Sequence, residues 1–257
     1  NSYNPWFNLA VEEYLYDTIP ENTVVLYLWQ NQNTVVIGKS QNAWKECRVS
    51  ELEADGGKLA RRPSGGGAVF HDLGNMCYTF IASSNLYNLE KQLCVILGAV
   101  KDQKIEAHFT GRNDITTADG RKFSGNAFRF SKQKGLMHGT LLLDTNSAKM
   151  ARYLQVSKAK MQAKGVDSVR ARVVNLVELN PSINALSMTA SLKKAFFENY
   201  GAWELESVFS DGVIPVSFLN IRLRCWGYSK PNPYATRAML SPVASSFFAR
   251  WMIYWRM

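Results

Sequence analysis

Runs of β-branched and aromatic residues arrive in neighbouring pairs along this chain, and that pattern most constrains its fold. TVVLYLW (23–29) and TVVIG (34–38) are separated only by QNQN, while GRKFSGNAFRF (120–130) and MHGTLLL (137–143) flank the polar loop SKQKG. Two such runs joined by a short polar segment predict a β-hairpin. Consecutive parallel strands would instead need long crossover connections. The sequence therefore predicts an α+β fold with a mixed, largely antiparallel sheet flanked by helices.

Three stretches predict the flanking helices. Asn4 and Pro5 supply an N-cap and a proline at the first helical position of an N-terminal helix. Apolar residues then recur at helical spacing over residues 89–100 and 188–196, and Gly201 is expected to end the later helix. Hydrophobic residues make up 46% of the 257 positions, which is enough for a sizeable core.

The net charge of +9 is concentrated towards the C-terminal end. Residues 221–257 contain six of the 30 Lys and Arg residues and none of the 21 acidic residues, so the rest is nearly balanced. A mildly basic body suits a phosphate-bearing ligand or an acidic partner as well as it suits nucleic acid. No recognised nucleic-acid motif is present. No run approaches 18 apolar residues, so no membrane-spanning helix is expected.

The cysteines and histidines argue against a metal site. Cys47, Cys77, Cys94 and Cys225 show no CxxC or other metal spacing, and no two histidines are spaced as HxxxH. The N-terminal stretch lacks a basic region and its apolar run is interrupted by acidic residues, unlike a signal peptide. We therefore expect reduced thiols and a cytoplasmic protein.

The segment RRPSGGGAVFHDLGN (61–75) is the most informative stretch for function. Three consecutive glycines are costly in conformational entropy, so some local requirement must justify them. One interpretation is a tight turn between two strands. The other is an anion cradle, in which backbone N–H groups together with Arg61 and Arg62 neutralise a phosphate or carboxylate. GxxxxGK[ST] and GxGxxG are both absent, so the segment is neither a P-loop nor a dinucleotide fingerprint.

Lys122 lies beside small residues in the predicted strand GRKFSGNAFRF. A single lysine in a strand is usually a solvated charge. The alternative is a cation that faces a ligand lying across the strand. The small residues Ser124 and Gly125, and His138 in the next predicted strand, favour that alternative.

Several segments, in sequence order, resemble the lipoate–protein ligase A family. They are NPWFNLAVEEYL, TVVIGKSQNAWKEC, RRPSGGGAVFHDLGN, GRNDI, DGRKFSGNAFR, HGTLLL and KGVDSVRARVVNL. The likeness extends over about residues 1–206. It implies the biotinyl/lipoyl ligase catalytic domain, whose mixed sheet flanked by helices is similar to that of class II synthetases.

The resemblance also implies a reaction. Lipoate and ATP, with Mg²⁺, would give lipoyl-AMP and pyrophosphate, and the lipoyl group would then move to a specific lysine. The implied acceptors are the lipoyl domains of 2-oxoacid dehydrogenase complexes and the glycine cleavage H protein. The enzyme is expected to be a monomer without nucleic-acid or membrane partners. The alternatives are a lipoyltransferase that uses preformed lipoyl-AMP, a biotin ligase on the same fold, and a basic nucleic-acid-binding module.

Roles for individual residues follow from the matching motifs. Lys122 is the implied catalytic lysine, in contact with both lipoate and the nucleotide. The implied ATP-binding residues are Arg62, Gly67, Ala68, Val69, Phe70 and Lys122. The implied lipoate-binding residues are Lys122, Arg61, Ser64, His71 and His138. No protein metal ligand is implied. Two positions depart from the family pattern, because Met137 replaces the first of two histidines and Pro63 stiffens the turn.

The likeness ends before the C-terminal segment. Residues 1–208 are expected to form the catalytic domain, without a few of its N-terminal residues. Residues 209–257 are expected to be an atypical tail, which could be a divergent domain, a membrane-surface or partner-binding segment, or a truncated or frame-shifted remnant in place of the accessory domain. We favour the remnant because the tail from residue 221 mixes cations and aromatic residues with no acid. It is then expected to pack poorly on the body.

Overall fold

Two β-sheets and their flanking helices account for most of residues 3–111, 113–155, 173–201, 204–206 and 252–256, which this computed structural model describes. The helices in these residues are α1 (Pro5–Thr18), α2 (Ala43–Glu46), α3 (Val49–Ala54), α4 (Leu89–Asp102), α5 (Ser147–Tyr153) and α6 (Ala185–Tyr200), with a 3-10 turn at Leu176–Glu178. The strands are β1 (Thr23–Trp29), β2 (Thr34–Ile37), β3 (Lys58–Arg61), β4 (Val69–His71), β5 (Asn75–Ser83), β6 (Ala107–Phe109), β7 (Asp114–Thr117), β8 (Lys122–Phe130), β9 (Lys134–Leu142), β10 (Glu204–Glu206) and β11 (Met252–Arg256).

The larger sheet has eight strands in the order β10-β11-β1-β5-β9-β8-β7-β6. All of its neighbouring pairs are antiparallel. The smaller sheet has the order β3-β2-β4, in which β2 is parallel to β3 and antiparallel to β4. The predicted α+β fold with a mixed, largely antiparallel sheet is confirmed.

Helices cover both faces of the larger sheet. Alternate residues of β1 and β5 pack with α4 and α6 on one face. The other set packs with α1, which also contacts Val36 and Ala60 of the smaller sheet. A third core lies between the smaller sheet and α2, α3 and α5. Because β1 is buried on both faces, its sequence is a continuous apolar run rather than an alternating one.

The predicted helix signals are confirmed. The Asn4 side chain accepts hydrogen bonds from the N–H groups of Trp6 and Phe7, and Pro5 is the first residue of α1. Gly201, with φ 88°, ends α6. No helix in the described ranges is long and apolar enough to cross a membrane.

Of the two predicted hairpins, one is confirmed and one is wrong. β8 and β9 pair around the SKQKG loop. β1 and β2, however, lie in different sheets. The linker between them does not form a tight turn, because the side chain of the buried Asn31 bonds to α1 and β4. Its side chain accepts a hydrogen bond from Asn8 Nδ2 of α1 at 2.7 Å, and its own Nδ2 lies 3.1 Å from Nδ1 of His71 in β4.

The tail contributes one strand to the larger sheet. β11 pairs with both β1 and β10, and its register places Thr23 opposite Arg256. The expectation of poor packing therefore does not hold for these five residues, whose sequence MIYWR is rich in strand-forming types. Residues 207–251 lie outside the described residues, so the division at residue 208 and the nature of the tail stay predictions.

Candidate functional site

A β-bulge at the start of β8 determines which way Lys122 points. The register between β7 and β8 shifts at this point and skips Phe123, whose side chain is fully buried in the core on the α4 side. Regular alternation would place Lys122 on the same face as Ser124. The extra residue reverses the alternation, so Lys122 shares a face with Gly125 instead.

The ammonium group of Lys122 lies over Gly125 and beside a carboxylate. Its Nζ is 2.7 Å from Oδ1 of Asp114, and a Cβ at Gly125 would lie only 3.0 Å from that nitrogen. The two charged side chains are 38% and 44% exposed. Lys122 is thus a partly exposed cation, ordered by a neighbouring charge and able to meet a ligand.

We define the glycine segment as residues 64–67. Arg62 bonds to this segment on the side that faces the protein interior. Arg62 is 7% exposed, and its Nη2 donates to the carbonyl oxygens of Gly65 at 2.8 Å and Gly67 at 2.7 Å. In a trans peptide the N–H points opposite to the preceding C=O. The N–H groups of Gly66 and Ala68 are therefore directed away from Arg62. This arrangement can present backbone donors to an anion.

A buried chain of hydrogen bonds continues from this segment to α1 and β5. Arg62 Nε donates to Ser64 Oγ at 3.1 Å, and that oxygen lies 2.7 Å from Nε2 of His138. His138 Nδ1 lies 2.8 Å from Oε2 of Glu12, which also accepts from the Thr79 hydroxyl at 2.6 Å. We call these five residues the buried chain. It connects the glycine segment to the centre of the larger sheet.

Two basic groups at this site have pKa values well below their ordinary range. Burial lowers the pKa of Arg62 to about 10, against the opposing effect of the nearby Glu12, so the guanidinium stays charged at neutral pH. Burial also lowers the pKa of His71 to about 3, and the nearby Arg62 and His138 add to the effect. His71 is therefore neutral and accepts from Asn31 through Nδ1.

The predicted ATP-binding stretch ends in an edge strand. Within the described residues β4 pairs only with β2, so one backbone edge of β4 lacks a strand partner. The Phe70 side chain is buried and packs against Tyr153, with ring centroids 5.5 Å apart. Only the backbone of Phe70 is therefore available to a ligand. Val69 pairs with Val36, so its backbone groups face β2, and its partly buried side chain is what it can offer a ligand.

Arg61 supports a neighbouring loop. Its Nη1 donates to the carbonyl oxygens of Gly38 at 2.9 Å, Lys39 at 3.1 Å and Gln41 at 2.8 Å. Gly38 in turn lies against the carbonyl group of Gly66, more closely than any side chain would allow. Arg61 thus holds the loop that backs the glycine segment.

The structure brings most of the predicted site residues together. A Cβ at Gly66 would lie 3.9 Å from that of Ala127, so the glycine segment lies against β8, the strand that begins at Lys122. Ser64 and His138 are in direct contact. His71 is set back, buried beside Cys77 and Trp29. Lys122 is partly exposed, whereas Arg62, Ser64, His71 and His138 are buried.

Sequence reasoning did not single out Glu12 or Asp114. Glu12 is completely buried on a face of α1 that also carries Asn8 and Leu15. A charged residue on the buried face of a predicted helix is the sequence feature that could have indicated its role. Asp114 lies in the quoted GRNDI segment, but its contact with Lys122 depends on the bulge. No sequence pattern indicates that bulge.

Two other features of the described residues add no site. No three His, Cys, Asp or Glu side chains there are grouped so that they could hold a metal ion. A shallow depression of about 220 Å³ lies between α4 and α6, and its lining includes Lys101, Asp102, Ser191 and Lys194. None of the predicted site residues is among its lining residues.

With this fold and this geometry established, comparison with known proteins identifies the class. The family model of the lipoyl protein ligase A/B catalytic domain matches residues 4–197, and the chain belongs to that family. A lipoate-protein ligase A from Blochmanniella pennsylvanica (strain BPEN) is 49% identical over 205 residues, which cover 78% of this chain. The match spans 60% of the length of that relative.

Solved structures agree with the family assignment. P. falciparum LipL1 in complex with lipoate is 33% identical, with a TM-score of 0.76, and the match covers 90% of this chain and 73% of that chain. A bipartite lipoate protein ligase from Thermoplasma acidophilum is 23% identical, with a TM-score of 0.74 and coverage of 87% and 88%. A lipoate-protein ligase A bound with ATP is 21% identical, with a TM-score of 0.71 and coverage of 87% and 90%. The last two show the same fold.

Proposed function

We propose that this chain is an ATP-dependent lipoate–protein ligase, which makes lipoyl-AMP and passes the lipoyl group to a lysine of a lipoyl domain. The observation that supports this most directly is the bulge at Phe123. It turns the Lys122 ammonium group onto the sheet face against which the glycine segment lies. Family relatives that bind lipoate, in P. falciparum LipL1, and ATP, in a lipoate-protein ligase A, support the two substrates.

The first step would join two anions. A carboxylate oxygen of lipoate attacks the α-phosphorus of ATP, and pyrophosphate leaves. Lys122 would reduce the repulsion between the carboxylate and the phosphate, and it would stabilise the charge that develops between them. The N–H groups of Gly66 and Ala68, directed away from Arg62, and the backbone of Gly67 and Phe70 would bind phosphate oxygens. Val69 would contact the nucleotide through its side chain. Arg62 would hold this backbone in place from the buried side, through its hydrogen bonds to the carbonyl oxygens of Gly65 and Gly67.

The second step would transfer the lipoyl group. The neutral amine of the acceptor lysine attacks the carbonyl carbon of lipoyl-AMP, AMP leaves with the electron pair of the cleaved bond, and the amine nitrogen loses a proton to water. Lys122 would stabilise the negative charge on the departing phosphate. We propose lipoyl domains of 2-oxoacid dehydrogenase complexes and the glycine cleavage H protein as acceptors, in the cytoplasm and with the ligase acting as a monomer. The archaeal relative, whose structure is described together with its E2 lipoyl domain, supports the first class.

The remaining predicted residues would shape the lipoate site. Ser64 and His138 belong to the buried chain, and the neutral His71 beside Trp29 suits an apolar ligand better than a charged one. Arg61 would contribute through the loop that it holds behind the glycine segment.

We propose that magnesium enters the site together with the nucleotide. The described residues offer no cluster of three ligands that could bind the ion without substrate. Mg²⁺ commonly binds through one or two carboxylates together with substrate phosphates. When bound with ATP, the ion would screen the charge of the departing pyrophosphate.

Lipoate-dependent exchange of labelled pyrophosphate into ATP tests the first step, and transfer to a purified lipoyl domain tests the second. Lys122→Ala should lower the exchange rate by on the order of 100-fold or more, because the lost cation acts mainly in the transition state. Lys132→Ala is the matched control, since Lys132 is exposed in the β8–β9 turn. A wild-type chain that transfers lipoyl from preformed lipoyl-AMP but shows no exchange would be a lipoyltransferase, which contradicts the proposal.

A further inference from the structure

The ion pair between Lys122 and Asp114 places a negative charge next to the cation that would bind two anions. The Nζ–Oδ1 distance is 2.7 Å, and Asp114 is 44% exposed. Beside a bound carboxylate and phosphate, Asp114 would be a third negative group, and its charge alone would weaken anion binding. The position of Asp114 in the fold indicates a compensating role in ordering the Lys122 side chain.

The backbone that carries Asp114 is fixed on both sides. The carbonyl oxygen of Asp114 accepts from the N–H of Thr110 at 2.9 Å and from its hydroxyl at 3.0 Å. One residue earlier, the carbonyl oxygen of Asn113 accepts from the backbone N–H of Asn126 at 2.6 Å and from its side chain at 3.0 Å. Asp114 is therefore a carboxylate on a rigid support, opposite the flexible stem of a lysine.

The geometry around the ammonium group leaves room for ligands. Lysine has three N–H donors, and Asp114 occupies one of them. Gly125 lets the stem lie close to the sheet, because a Cβ there would crowd the Lys122 side chain. A held ammonium group loses less conformational entropy when a ligand binds than a mobile one does.

We propose that Asp114 is a positioning residue, which holds the Lys122 ammonium group over Gly125 so that its other two N–H groups meet the lipoate carboxylate and the α-phosphate. This inference rests on the proposed function. It predicts opposite effects on two constants. Asp114 raises the rate of adenylate formation by ordering Lys122, and it weakens lipoate binding by adding a negative charge.

Three variants separate these effects. Asp114→Ala should lower kcat for lipoyl-AMP formation about tenfold, because Lys122 is no longer held, while KM for lipoate falls. Asp114→Asn keeps an oxygen acceptor without the charge, so kcat should recover to within about threefold of wild type, with KM still lowered. Asp119→Ala is the matched control, because it removes an exposed ion pair with Arg121 from the turn that joins β7 to β8. It should change neither constant.

A second measurement does not depend on activity. In the ligand-free protein, acetic anhydride should acetylate Lys122 several times faster in Asp114→Ala than in wild type or Asp119→Ala, as followed by mass spectrometry. If wild type forms no lipoyl-AMP, the proposed function fails, and the acetylation rates still test the positioning. The inference is overturned if the acetylation rate does not change, or if Asp114→Ala and Asp114→Asn lose kcat equally with KM unaltered.

Discussion

Replacing Glu12 with alanine should destabilise the fold by about 2–6 kcal/mol, because it leaves two buried donors without an acceptor. The Thr79 hydroxyl and the His138 Nδ1–H both meet Oε2 of Glu12, at 2.6 and 2.8 Å. Each unsatisfied buried group costs about 1–3 kcal/mol. A typical domain is stable by only about 5–15 kcal/mol, so the loss would be a large part of the total.

Chemical denaturation followed by circular dichroism measures this change. Glu13→Ala is the matched control, since Glu13 is the next residue of α1, and its ion pair with Arg129 spans 3.4 Å nearer the surface. We expect Glu13→Ala to cost less than about 1 kcal/mol. Glu12→Gln, which retains an oxygen acceptor, should recover part of the loss. If Glu12→Ala and Glu13→Ala unfold at the same denaturant concentration, the buried chain does not stabilise the fold as argued.

Gly66→Val should weaken ATP binding in calorimetry, because φ is +93° and a Cβ would lie 3.0 Å from the Arg62 guanidinium. Gly65→Ala is the control, since a Cβ there has open space around it, and it should bind ATP normally. Equal affinities of the two variants would favour the interpretation of the glycines as a simple turn. Stability should fall as the pH drops from about 6.5 towards 3, by about 1.4 kcal/mol per pH unit, because the unfolded chain protonates His71 while the folded chain, with its lowered pKa, does not. His71→Gln should flatten that dependence in urea unfolding, and an unchanged slope would rule out His71 as its source. Deleting residues 252–257 should lower stability by about 1–5 kcal/mol, from five cross-strand pairs with β1, and an unchanged thermal midpoint would contradict this.

The elements of the fold could largely be predicted because local signals decide them. The Asn4 cap, the apolar spacing in α4 and the polar loop between β8 and β9 each act within a few residues, and each is confirmed. The failed hairpin between β1 and β2 has a non-local cause. Asn31 resembles a turn residue in sequence, but its side chain bonds to α1 and β4, which lie far from it along the chain.

The segments that form the candidate site could be located from the sequence, but the contacts between their side chains could not be predicted. Glycine triplets and lysines among small residues are visible as patterns, and they led to the glycine segment and to Lys122. The direction in which Arg62 acts was not visible, because only the fold shows that its guanidinium group faces the buried side of that segment. The role of Asp114 depends on a register shift at Phe123, and alternation alone would have placed Lys122 on the wrong face.

The pairing of β11 with β1 has a consequence for the order of folding. Thr23 and Arg256 are partners, so this contact closes a loop that includes most of the chain. Closing such a loop is entropically costly, and contacts of high sequence separation form slowly. Until it closes, the apolar strand β1 would be an unprotected sheet edge, on which another chain could add a strand. Refolding should therefore be slow and sensitive to protein concentration, and β1 would be a target for a chaperone that binds extended apolar segments.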